Sequence, residues 1–236
     1  MKTVLRKAAS CGLAVLVLCL CHSLSPAPVQ AREGYRVVNV VDDFLAYYQA
    51  AKDQGEEQRA ALWVSLVEAR NQAFFNDAVY RRKQGAGRER YREHCRKTFW
   101  EKIAPDLNYY AGLNKSLKAV LEQTLADFQK HFPDFKPNTD FYLTFSFSFR
   151  GKAVDVGQKV VLALGLEFFH EYGPQAEQQI RITLAHELFH LYHFQSFSPY
   201  GGLYRAIWAE GLATYASEEL VPGFRLSQYL AKPFKL

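Results

Sequence analysis

The stretch TLAHELFHLYHF, residues 183–194, constrains this chain more than any other. Three of its seven histidines, His186, His190 and His193, fall within eight residues on a segment of helical apolar period. His186 and His190 are four apart, which on a helix sets them about 40° around and one turn along from each other. Two imidazoles so placed can converge on one metal ion from a single face. Glu187, beside the first, can reach a water on such an ion without being a ligand, so H-E-x-x-H supplies two ligands and a general base. A catalytic site needs a third protein ligand and an open position. Glu210, in IWAEGLATY, follows His190 after nineteen residues, 191–209. That length lets one helix end near Ser196, the chain reverse, and a second helix return a carboxylate, with Gly211 allowing close backbone approach. The competing interpretation is a helix of buried, hydrogen-bonded histidines, and Glu210 at this distance argues against it.

The rest of the chain predicts an α+β protein. Residues 38–131 read as helices: VVDDFLAYYQAAKD places Val41, Phe44, Leu45 and Tyr48 on one stripe, and Leu62, Leu66, Ala69 and Ala73 continue the same rhythm. SLKAVLEQTLADFQKHF is the last of these helices, stopped by Pro133. FYLTFSFSFRG alternates like a half-buried strand, and KVVLALGLEFF is rich enough in β-branched and aromatic residues to be another. Two helices follow, carrying the histidines and Glu210. Between Arg81 and Lys97 lie eight Lys or Arg against two Glu, which reads as a solvated helical face.

With HELFH, nineteen residues and EGLATY in place, the chain resembles the gluzincin zinc metallopeptidases. The ligand spacing is similar to that of thermolysin, and Glu-Gly-x-Ala-x-Tyr is similar to the NEGFA stretch of zinc aminopeptidases. The layout as a whole resembles bacterial exported zinc-dependent proteases of otherwise unknown function. The resemblance covers residues 138–220. It implies a zincin-like minimal catalytic core, a short sheet with an active-site helix and a glutamate-bearing helix, preceded by an N-terminal helical region. It also implies one zinc ion on His186, His190 and Glu210, Glu187 as base, and hydrolysis of peptide bonds. His193 and Tyr215 are the candidates for a donor to the oxyanion. Two positions depart from the family: Ala209 replaces the asparagine of the aminopeptidases, and Thr214 stands where thermolysin-like enzymes carry an aspartate that bonds a zinc-ligating histidine. In zincins the strand beside the active-site helix binds extended peptide by main-chain hydrogen bonds, and residues 159–169 are the candidate for that edge, with an ordinary internal strand as the alternative that their near-continuous apolar run equally suits.

The N-terminus predicts export. MKTVLRK is a basic n-region, AASCGLAVLVLCL an apolar run of 13 residues too short to span a membrane comfortably, and SPAPVQA ends in a Val-x-Ala site. The expected organisation is a signal peptide over 1–31, a helical region over 32–137 and a catalytic core over 138–236. Cleavage after Ala31 would leave Cys95 as the one cysteine, hence no internal disulfide in an oxidising compartment. The signal carries three cations, so the formal charge falls from +5 to +2, too mild to imply nucleic acid. The expected partner is an extended peptide or unfolded polypeptide, without stable membrane insertion once the signal is removed. Two other functions fit the same residues: a catalytically idle zinc-binding module of the envelope, and a helical interaction protein in which the motif is accidental.

Overall fold

The computed structural model describes residues 34–197, 202–221 and 223. Within them the chain is a mixed α+β fold built on a four-stranded sheet. The expected signal peptide, residues 1–31, and most of the SPYGG loop lie outside the described residues. Among the described residues no helix is long and apolar enough to cross a membrane.

The described chain opens on a strand, β1 (Tyr35–Asn39), and enters α1 (Val41–Ala51). Next, α2 (Glu56–Leu62) runs through a π-helical segment (Trp63–Glu68) and a 3-10 turn (Ala69–Asn71) into the short α3 (Gln72–Phe74). A second π-helical segment (Phe75–Val79) leads to α4 (Gly85–Thr98), and the long α5 (Leu107–His131) closes the helical region. β2 (Thr139–Thr144), β3 (Gly151–Val156) and β4 (Lys159–Gly165) follow. A 3-10 stretch (Leu166–Gln175) then leads to α6 (Ala176–Ser196) and α7 (Leu203–Leu220).

The sheet order is β1-β2-β4-β3, with β1, β2 and β4 mutually parallel and β3 antiparallel at one edge. The helical reading of the first half therefore missed a strand. Tyr35 pairs with Thr139 and Asn39 with Leu143, so the N-terminal region contributes a strand to the sheet of the second half. Side chains alternate across a strand. Tyr142 faces the N-terminal helices and stacks on Phe74 at 4.2 Å between centroids. Phe141, Leu143, Leu162 and Leu164 fill the opposite face, the one on which Gly151 meets α6. A single hydrophobic cluster runs through both halves, with Phe44 of α1 against Trp63, Phe99 and Phe145 at 5.1–5.7 Å.

Part of the basic run of residues 81–97 turns inward. The Arg92 guanidinium donates to both oxygens of the buried Glu68 at 2.6 and 2.8 Å, and Tyr80 donates its hydroxyl to the same carboxylate. Arg88 adds a longer pair at 3.6 Å, and Arg96 pairs with Glu56. An arginine run on a helix carries no mark of what the arginines face, and here a buried glutamate from a neighbouring turn collects two of them. Cys95, also on α4, is a buried free thiol whose pKa is pushed up by that burial.

The strand over residues 159–169 corrects an expectation. It ends at Gly165, and it lies between β2 and β3, hydrogen-bonded on both sides. Its Val161–Leu164 stretch is almost wholly buried, as a near-continuous apolar run in an internal strand should be. The sheet's edge strands are β1 and β3, and the edge beside α6 is β3. Gly165 N–H donates to Arg150 C=O at 2.8 Å, which fixes the ladder phase: residues 150, 152, 154 and 156 bond β4, while Gly151, Ala153 and Asp155 aim their N–H and C=O groups away from the sheet.

At Gly151, α6 lies close against β3. A Cβ there would clash with Thr183 Cγ2 and meet Glu187 Cγ at 3.0 Å. Gly151→Ala is therefore expected to destabilise the protein by about 1–3 kcal/mol through overpacking. Denaturant unfolding of the variant measures this, and an unchanged midpoint would show that α6 can recede without cost.

Candidate metal centre

α6 is launched by a kink. Gly173 takes φ 50, ψ −121, a conformation open to glycine, and Pro174 follows it just ahead of the helix. The face formed by Ile180, Leu184, Ala185, Leu188 and Leu191 is buried. That rotation leaves His186 and His190 on the flank directed at α7, and Glu187 on the flank directed at β3.

α7 packs against the bundle through Ala213, Ala216, Ser217 and Leu220. The small side chains of Ala213, Ala216 and Ser217 let the two helices approach, and one turn before them Glu210 returns to the histidines. His186 Nε2 lies 3.1 Å from Glu210 Oε2, His190 Nε2 lies 3.4 Å from Glu210 Oε1, and the two imidazole Nε2 atoms are 3.0 Å apart. A tetrahedral ion with bonds of about 2 Å separates its ligand atoms by roughly 3.3 Å, so these three donors fit one small divalent cation. The three residues form a group that could hold a metal ion, their ligand atoms all within 4.8 Å of one another. Hydrogen bonds from the two histidines hold the Glu210 carboxyl well below the usual carboxylate range.

Glu187 is only 9% exposed. Its Oε2 accepts the N–H of Ala153 at 3.0 Å, one of the outward-facing groups of β3. Burial pushes its pKa up, against the opposing pull of His186 and His190. The carboxylate thus sits between the candidate metal ligands and the free strand edge. Position is also set further along the chain. Glu167 accepts the backbone N–H groups of Ser146 and Phe147 in the β2–β3 loop, and burial raises its pKa to about 7 despite those bonds. At the far end of β3, Asp77 accepts the Gly157 N–H at 2.8 Å and so pins the hairpin turn to the N-terminal helices.

The two remaining sequence candidates are placed differently. His193 is packed among Phe189, Phe194 and Phe197, with ring centroids at 5.0–6.0 Å. Its Nδ1 is buried and has no hydrogen-bond partner among the described residues. Tyr215 is 62% exposed on α7, and five helical residues turn it about 140° from Glu210. Thr214 donates its hydroxyl to the Glu210 carbonyl at 2.7 Å, one turn back in its own helix. It does not replace the aspartate of thermolysin-like enzymes, and His190 Nδ1 is buried without a hydrogen-bond partner among the described residues. The strand edge at Ala153 is the element that sequence reasoning missed.

No protein-family model matches this chain, and no curated protein or solved structure is significantly similar to it.

Proposed function

We propose that the protein is a zinc-dependent peptidase and, on the signal-like layout of residues 1–31, an exported one. The observation that carries this reading is the convergence of His186, His190 and Glu210 beside the buried carboxylate of Glu187, itself bonded to a free strand edge. A structural zinc site uses closed coordination and has no need of an adjacent buried base. His186, His190 and Glu210 would hold the ion, which when bound supplies Lewis acidity at the scissile carbonyl and to the attacking water. Glu187 takes the proton from that water and returns it to the departing amine, its carboxylate held in place by the Ala153 N–H. The outward main-chain groups of Gly151 and Asp155 and the C=O of Ala153, whose N–H is held by Glu187, can align an extended peptide by strand addition. Of the two oxyanion candidates His193 is the better placed, since it lines the same cavity as Glu210, whereas Tyr215 is exposed.

The experiment is metal analysis beside peptide-library hydrolysis. Protein purified without chelators should carry one equivalent of zinc and cleave unfolded polypeptide, and Glu210→Ala should lose both. Protein that takes up no zinc on titration would refute the reading.

A further inference from the structure

The helix pair that carries the candidate metal ligands is closed at one end and open at the other. Along the second half of α7, Ala213, Ala216, Ser217 and Leu220 are buried. Along the first half, Leu203, Tyr204, Ile207 and Trp208 are 57–78% exposed. Four large apolar side chains in two turns of one helix form an exposed patch of the kind that marks a binding surface. The gap between this half of α7 and the end of α6 is a cavity of about 740 Å3. Phe189, His193 and Phe197 wall it from α6, Tyr204 and Trp208 from α7, and Glu210 closes its inner end. The Glu210 carboxylate is occupied by His186 and His190. What remains facing the gap is ring surface together with Arg205, Ser196 and small aliphatic residues, in a volume typical of ligand pockets.

We propose that this gap is a specificity pocket for an aromatic or large aliphatic side chain of the peptide substrate, with Trp208 and Tyr204 as its determinants. The proposal rests on the hydrolytic reading above. Its occupant follows from continuity: Glu210 belongs both to the metal-ligand group and to the cavity wall, so a peptide whose carbonyl lies at that group passes the mouth of the gap. Ring walls favour an apolar guest, because a polar side chain would lose its hydration against them, and Arg205, which also lines the gap, already has an interaction of its own.

The test uses zinc-loaded full-length protein and peptides that differ only in one position, Ala, Leu, Phe, Asp or Lys, scanned on both sides of the scissile bond. At one position, Phe should exceed Ala in kcat/KM by about ten-fold or more, a discrimination within the range of apolar pockets. Trp208→Ala and Tyr204→Ala should each shrink that ratio to below about three-fold, while Trp208→Phe should retain it. Both side chains are exposed, so unchanged circular dichroism and zinc content are expected and report that the fold survives. A Phe preference undiminished in Trp208→Ala, or a preference for Asp or Lys in its place, would overturn the proposal. So would a dimer that Trp208→Ala dissociates, since a second copy would then fill the gap. Equilibrium binding of the same peptides to zinc-loaded Glu187→Gln separates the two readings. Turnover without Phe selectivity refutes the pocket and leaves hydrolysis standing. Trp208-dependent Phe binding with no turnover by the wild type refutes hydrolysis and leaves the pocket standing.

Discussion

Glu187→Gln is expected to reduce kcat/KM on unfolded polypeptide by about 10²–10⁴, the usual contribution of a positioned general base, while the protein keeps its zinc and its fold. The substitution is close to isosteric, and a glutamine carbonyl can still accept the Ala153 N–H that now bonds Glu187 Oε2. Glu187 is not among the residues whose ligand atoms converge, so the metal site should persist. What the amide lacks is the ability to take up a proton. Burial pushes the pKa of this carboxyl up, and a cation on the neighbouring ligands would pull it the other way. Steady-state kinetics and metal analysis on the same preparation settle the matter. Activity within a few-fold of wild type would place the base elsewhere. Loss of zinc along with activity would make Glu187 a ligand rather than a base.

The parts of the molecule legible in its sequence are those whose determinants are local. The helical period of residues 176–196 and the four-residue spacing of His186 and His190 need no knowledge of the remainder of the chain, and α6 carries them as expected. The return of Glu210 follows from loop length together with the small residues Ala213, Ala216 and Ser217, which let α7 approach. Edges and pairings are different, because they are properties of the sheet and not of a strand. Residues 159–165 have a pattern that says buried on both faces, and burial on both faces is compatible with any position in the sheet order. β3, GKAVDV, is short and breaks up its apolar residues with glycine, lysine and aspartate, so its strand signal is weak. The glycine that weakens it as a strand is what allows α6 to lie against it. β1 is five residues long and abuts α1, so its sequence reads as the approach to a helix until its partner, more than a hundred residues later, is known. The inward turn of Arg88 and Arg92 is likewise invisible until Glu68 is placed opposite them.

Saturating zinc should raise the thermal midpoint by about 10 °C over chelator-treated protein. A ligand present at a thousand times its dissociation constant stabilises the native state by about 4 kcal/mol, and in a chain of this size each kcal/mol moves the midpoint by roughly 2–4 °C. The geometry says where that stabilisation should appear. α7 is anchored by its second half, while its first half buries almost nothing, and Glu210 stands at the boundary between them. An ion shared by His186, His190 and Glu210 therefore ties α7 to α6 at the point where packing gives out. Hydrogen exchange should slow on zinc binding along residues 203–212 more than along α5, whose buried stripe from Leu107 to Phe128 already secures it. Glu210→Ala should lose most of the zinc-dependent shift, since two imidazoles on one helix cannot bridge to another. Glu187→Gln should retain it. A midpoint indifferent to zinc, or a full shift in Glu210→Ala, would mean that the three side chains meet without sharing an ion, and the catalytic reading would fall with the metal.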